Sequence, residues 1–373
     1  MASERHSIPT LAALGWDPGW ASAFLPHESA GLAPARVTAA HRGAWVVSVG
    51  PSEREAVIAG RLRFEAAGPG DLPAVGDWVA IEPVGAEGPA VITAVLPRRS
   101  ALRRSNGDGR AGAGRLAAEQ VLAANVDVAL LVSGLDGDFN LRRLERYLTV
   151  AYAGGAAPVV VLNKVDIDDD VDAHRVAAEA VAPGVPVHAV SARTGHGLDR
   201  LADAHLRPGT TAVVLGSSGV GKSTLVNALV GAARQRTNDV RADDSKGRHT
   251  TTVRELIPIG DGALLVDTPG LRSLEVAGAD DGIEAAFADV ADLAMGCRFR
   301  DCGHDGEPGC AVRAALDTGT LDPGRFDSYR KLEREAARAV RQADPFARAE
   351  ERRRWKAIHK SVGVHMKHKY GEG

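Results

Sequence analysis

Gly216-Ser217-Ser218-Gly219-Val220-Gly221-Lys222-Ser223-Thr224 is the stretch whose reading decides the fold. An apolar run, Thr211 to Leu215, precedes it and reads as a buried strand. Leu225-Val226-Asn227-Ala228-Leu229 follows with the apolar spacing of a helix. Strand, glycine loop and helix are the context in which such a motif cradles phosphate. Successive backbone N–H groups turn inward around phosphate oxygens, and the helix N-terminus adds the positive end of its dipole. Lys222 can reach the β- and γ-phosphates, and the Ser223 hydroxyl can take one position on Mg²⁺. A P-loop α/β domain is therefore expected.

Two segments before this loop suit the recognition of a guanine base. Pro158 to Leu162 reads as a strand running into Asn163-Lys164-Val165-Asp166. A carboxylate at Asp166 can accept from the ring N–H and the exocyclic amine of guanine, a donor pair that adenine lacks. Asn163 can fix the loop, and the Lys164 stem can lie across the ring. Val185 to Val190 is a second strand, leading to Ser191-Ala192-Arg193-Thr194-Gly195, where a backbone N–H near Ala192 can meet the guanine carbonyl.

Two further segments follow the loop. Arg234 to Arg254 lacks apolar periodicity and holds Gly247-Arg248-His249-Thr250-Thr251-Thr252, a switch able to place a threonine on Mg²⁺ and the γ-phosphate. Thr251 is the expected ligand, although the spacing does not choose between it and Thr250. Ala263 to Val266 is a strand ending in Asp267-Thr268-Pro269-Gly270, where Asp267 can hold Mg²⁺ through water and the Gly270 N–H can meet the γ-phosphate. Val126 to Val132 and helical Leu141 to Tyr152 supply more of the parallel sheet and its cover. All the parts of a guanine-nucleotide switch are present, but the base-reading pair comes first. The domain is circularly permuted, so the second switch leads directly into the C-terminal region and can relay nucleotide state there.

The chain has 373 residues, enough for two to three domains. A net charge of −3 excludes a uniform polycation, so any nucleic-acid surface must be local. No apolar run approaches a membrane span, and Met1 to His6 does not begin a signal peptide. Leu11, Leu14, Trp20 and Phe24 can line one face of a short helix in residues 1–34, an extension that packs on its neighbour. Residues 35–100 hold short strands (up to Val49, Ala56 to Phe64, Asp77 to Ile81, Ala90 to Leu96) and read as a small antiparallel barrel of the oligonucleotide-binding kind. Six arginines between Arg98 and Arg115, four of them within the basic connector of residues 101–118, stand against the single acid Asp108 and make this stretch suited to phosphate backbones. Residues 119–285 form the GTPase domain and residues 286–373 a helical C-terminal domain.

All three cysteines lie in Cys297-x4-Cys302-x-His304-x5-Cys310. Three thiolates and an imidazole suit one tetrahedral Zn²⁺ with no position left for a catalytic water. Their clustering points to a metal in a reducing compartment, the cytoplasm. Phe326 to Trp355 reads as helix, and from Pro323 to Gly373 fourteen Lys or Arg face seven Asp or Glu, a surface suited to rRNA.

Barrel, permuted G-domain and cysteine cluster together resemble the RsgA (YjeQ) family of small-ribosomal-subunit-dependent GTPases, over roughly Arg36 to Cys310. The resemblance implies a late-acting assembly factor that binds the maturing small subunit and its rRNA, hydrolyses GTP when docked, and leaves. It implies the same zinc site on Cys297, Cys302, His304 and Cys310. A monomer is expected. Leu271 follows Gly270 where Ras-like enzymes carry the water-orienting glutamine, so slow intrinsic hydrolysis is expected, with His249 positioning water once a partner orders its loop. Gly219 stands where potassium-activated relatives carry asparagine, so no bound K⁺ is expected. A zinc metallochaperone GTPase and a non-catalytic GTP/GDP-sensing scaffold are the alternatives.

Overall fold

The strand that feeds the phosphate loop is buried along its whole length and lies within one sheet of eleven strands. The computed structural model describes residues 10–41, 43–50, 52–83, 88–105, 119–231, 254–259, 262–267 and 279–343. The basic connector's residues 106–118, the first switch with His249, Thr250 and Thr251, the second switch from 268 to 278 with Gly270 and Leu271, and the tail beyond 343 lie outside that range.

A 3-10 turn at Ala12–Leu14 opens the described chain, followed by α1 (Pro18–Glu28). Asp17 caps α1 by accepting from the Trp20 N–H, and Pro18 takes the first helical position, where no N–H is needed. Trp20 and Phe24 are buried, as their spacing predicts.

Five strands close the barrel: β1 (Ala33–Ala40), β2 (Trp45–Ser48), β3 (Glu53–Ile58), β4 (Trp78–Ile81) and β5 (Ala90–Val95). Pairings run β1–β2–β3–β5–β4 and back to β1, all antiparallel except β3 with β5. The predicted strand from Ala56 stops at Ile58; Gly60–Glu65 forms a short helix, α2, instead. Its Phe64 is 90% exposed, so the alternation of Leu62 and Phe64 reflects no second core-facing strand.

The next hairpin pairs β6 (Ala101–Ser105) with β7 (Glu119–Ala124), so the basic connector begins as a strand. The nucleotide-fold half then runs β8 (Val128–Gly134), α3 (Leu141–Ala153), β9 (Ala157–Asn163), α4 (Val171–Val181), β10 (Val187–Val190), α5 (Leu198–His205), β11 (Thr211–Leu215), α6 (Lys222–Val230), β12 (Arg254–Ile259) and β13 (Ala263–Asp267). Strand order is β10-β9-β8-β11-β13-β12-β1-β2-β3-β5-β4, parallel from β10 to β13. Strand β12, absent from the sequence reading, pairs antiparallel with β13 and, through Ala39–Glu255 and Ala40–Arg254, with β1 of the barrel. Barrel and nucleotide fold are thus one continuous sheet.

Arg36 of β1 stitches these parts together. Its buried guanidinium donates to the carbonyls of Leu14, Gly76 (3.2 Å) and Asn125 (3.4 Å) and to Thr211 Oγ1 (2.8 Å) at the start of β11. Burial pulls its pKa down to about 10, against the pull of nearby Asp127 and Asp77.

After β13 the described residues form α7 (Asp280–Ala286), across the expected domain boundary, then α8 (Ala288–Met295), α9 (Ala311–Asp317) and α10 (Pro323–Ala343). The described helix α10 begins three residues before the predicted Phe326.

Candidate nucleotide site and metal centre

The loops after β8, β9, β10 and β11 lie at the carboxyl edge of the parallel strands, the edge where open α/β sheets bind ligands. Asn163 closes β9 with its side chain 2% exposed. Its Nδ2 donates to the Val220 carbonyl of the phosphate loop at 2.9 Å, and its Oδ1 accepts from the Ala192 N–H at 3.0 Å. One buried amide therefore ties the loop after β9, the loop after β10 and the phosphate loop together. Lys164 turns the chain in the left-handed region (φ 72) and donates to the Gly219 carbonyl at 2.7 Å and to Asp136.

Asp166 faces the second loop. It accepts from Ser191 Oγ at 2.5 Å and from Arg193. The Ser191 hydrogen bond, aided by Arg193, holds the carboxyl below its ordinary range, so it is an anionic acceptor at neutral pH.

In the phosphate loop, Lys222 Nζ donates to the carbonyls of Gly216 (2.9 Å) and Ser217 (2.5 Å), where phosphate oxygens would compete for it. Gly221 needs to be glycine: its φ is +92, and a Cβ would stand 2.4 Å from Asn163 Nδ2. Ser223 is exposed in the first turn of α6. The backbone of Asp267 ends β13, beside β11. Thus Asn163, Lys164, Val165, Asp166, Ser191, Ala192 and the loop Gly216 to Thr224 converge on one edge, while Thr251 and Gly270 lie outside the described residues.

Sequence reasoning missed three residues here. Asp136 accepts from Lys164; Asp138 accepts from Ser217; Arg143 donates to both Asp138 and Ser217. All three follow β8, whose end adjoins β9 and β11, and that neighbourhood is the signal that could have found them.

The second cluster lies between α8 and α9. Cys297 Sγ is 3.9 Å from Cys310 Sγ and 3.6 Å from His304 Nδ1; His304 Nδ1 is 3.4 Å from Cys310 Sγ. Ligand atoms of Cys297, Cys302, His304 and Cys310 all lie within 4.8 Å of one another. A tetrahedron with Zn–S near 2.3 Å has S···S edges of about 3.8 Å, and S···N edges somewhat shorter, so the donor set and the Cys297, His304 and Cys310 spacings fit zinc. His304 adopts φ 58, and Glu307 shapes the turn by accepting from the N–H groups of Gly303 (2.8 Å) and Asp305 (2.9 Å). Its own backbone N–H first, then those of Gly303, Asp305 and Gly306, pull the Glu307 pKa down to about 2. Arg330 of α10 donates to the Gly303 carbonyl at 2.6 Å, fastening the turn to the long helix.

A sequence model described as RsgA GTPase matches residues 95–277. The chain is 51% identical over 360 residues to the small ribosomal subunit biogenesis GTPase RsgA of Opitutus terrae, covering 94% of this chain and 96% of that one. It is 44% identical over 362 residues to the protein of that name from Syntrophotalea carbinolica, covering 96% and 98%. Among solved structures, YjeQ from Thermotoga maritima matches with TM-score 0.59 at 26% identity, covering 81% of this chain and 97% of that chain. YloQ, described as a circularly permuted GTPase, matches with TM-score 0.55 at 26% identity, covering 80% and 93%.

Proposed function

The chain belongs to the RsgA family of GTPases, and from that premise we propose how its own residues carry out the reaction and whom they serve. It is a ribosome-biogenesis GTPase that hydrolyses GTP and acts on the small ribosomal subunit. In our reading, Asp166 selects guanine, the Ala192 N–H meets its carbonyl, and Lys164 covers the ring. The N–H groups of Gly216 to Thr224 hold the phosphates, with Lys222 neutralising charge on them and Gly270 meeting the γ-phosphate. Ser223, Thr251 and Asp267 would hold Mg²⁺, which when bound would supply neutralising charge to the phosphates. His249 positions the attacking water when the protein is docked on the subunit.

The observation that carries this reading is the buried Asn163, joined at once to Val220 and Ala192. Such a bridge makes the base-reading loops and the phosphate loop a single receptor. Four protein ligands on a turn fastened by Glu307 and Arg330 favour a resident structural Zn²⁺ over a metal cargo. We assign the barrel, the basic connector and the tail to rRNA contact, and the protein to the cytoplasm as a monomer. No helix among the described residues is long and apolar enough to cross a membrane.

Asp166→Asn tests the assignment. The amide turns one acceptor into a donor, suiting a base with a carbonyl where guanine has its amine. The variant is expected to lose GTP hydrolysis and gain hydrolysis of xanthosine triphosphate. Unchanged GTP preference would remove Asp166 from the base site.

A further inference from the structure

Ser217 is held from two sides. Its carbonyl accepts from Lys222 at 2.5 Å, and its hydroxyl accepts from Arg143 at 2.6 Å and donates to Asp138. Arg143 also spans both oxygens of Asp138 at 2.7 Å. Burial pushes the Asp138 carboxyl up, but hydrogen bonds from Arg143 and Ser217 outweigh it and keep it below its ordinary range. Arg143 belongs to the first turn of α3, and its own N–H is capped by Asn140 at 3.0 Å.

The same helix grips the C-terminal region. Arg142 pairs with Asp322 at 2.5 Å, at the start of α10, and Arg146 pairs with Glu335 within it at 2.7 Å. Glu145, fully buried, accepts from Arg142 (2.7 Å) and from Arg325 of α10 (3.1 Å). Arg325 continues to Asp289 of α8 through two bonds of 2.7 and 2.6 Å. Further along α3, Gly282 of α7 approaches so closely that a Cβ there would lie 2.4 Å from the Thr149 carbonyl. One helix of thirteen residues, about 20 Å long, thus touches the phosphate loop at its first turn and α7 and α10 along its length.

We propose that Arg143 is a positioning residue for the phosphate loop, and that α3 carries the loop's nucleotide state as a rigid lever to the C-terminal helices. The inference rests on the guanine-nucleotide reading of the site. Phosphate oxygens that draw Lys222 off the Ser217 carbonyl alter the residue whose hydroxyl Arg143 and Asp138 hold. A helix moves as a unit, and the buried Glu145–Arg325 pair obliges α10 to follow, because separating it strands a charge out of water. This route is separate from the second switch, which reaches the C-terminal region along the chain.

Hydrogen–deuterium exchange on the full chain, free, with GDP–Mg²⁺ and with a non-hydrolysable GTP analogue and Mg²⁺, tests the lever. In the wild type, saturating nucleotide should slow exchange in the phosphate loop and change it about fivefold in Pro323–Ala343. Arg143→Gln should need a higher nucleotide concentration to reach saturation, and there keep a protected phosphate loop while the response of α10 disappears; Arg143→Lys should restore part of both. Glu335→Ala, on the rim of the contact, repeats the test from the far end should Arg143→Gln fail to fold, and should shrink the α10 response while leaving the loop's intact. A phosphate-loop response that stops short of α10, or an α10 response that these variants leave whole, overturns the lever alone. No response at the phosphate loop overturns the nucleotide reading and the lever with it.

Discussion

The side-chain amide of Asn163 donates to the Val220 carbonyl at 2.9 Å, joining the end of β9 to a loop 57 residues later in the chain. Because the same side chain accepts from Ala192, the loops we assign to base and phosphate recognition share one buried joint. Asn163→Ala orphans a carbonyl and an N–H, at about 1–3 kcal/mol each. A loss of about 1.4 kcal/mol reaching the site weakens nucleotide binding tenfold. Titration with a fluorescent GDP analogue should show at least that loss, together with a lower melting temperature. Wild-type affinity would mean the two loops hold without the joint.

Removing the metal should act on the C-terminal region first. Cys310 caps α9, accepting from the Arg313 N–H at 3.3 Å, so its thiolate serves the helix as well as the cluster. Cys310→Ser is expected to reduce bound zinc from one per chain to none and to melt the α9–α10 region before the sheet. Zinc content by elemental analysis, with exchange of Ala311–Asp317, checks this. Full zinc occupancy in the variant would remove Cys310 from the ligand set.

His188 and His205 face each other with Nε2 atoms 2.9 Å apart, so one must be neutral to accept. Burial lowers both pKa values, with Arg200 adding for His188, and His188 and Arg207 adding for His205. A histidine whose folded pKa lies below its unfolded value destabilises the fold as pH drops. The unfolded chain takes up protons from about pH 6.5 downward, before the folded one does. The urea midpoint should therefore fall between pH 7.5 and 5.5, and less so in His205→Asn. Parallel pH profiles for the two proteins would clear this pair of any role in acid sensitivity.

His249→Ala should leave nucleotide affinity intact and abolish partner-stimulated hydrolysis, a loss of about 10²–10⁴-fold if it orients the water. Equal stimulated rates in mutant and wild type would assign that role elsewhere.

What could be read beforehand followed local chemistry. The loop Gly216 to Thr224 announces itself because a phosphate cradle needs glycines, a lysine and a hydroxyl at fixed spacing. The cysteines announce themselves because a tetrahedral ion needs four donors. Strand β12 did not, because its Arg254-Glu255 start borders a segment without periodicity and its partner β1 lies more than two hundred residues earlier in the chain. The helix α2 hid behind an alternation that pairing with β5 ends at Ile58. Asp136, Asp138 and Arg143 were missed because they carry no motif; they matter only because β8 ends beside the phosphate loop. Arg36 reads as one charge in a strand, and only the junction of four segments explains its burial.

The most direct test of the account is the GTP hydrolysis rate of the purified protein alone, then with small ribosomal subunits, large subunits and whole ribosomes. Slow turnover alone and strong stimulation by small subunits, unmatched by large ones, is the predicted result. Turnover that no ribosomal particle accelerates would contradict it.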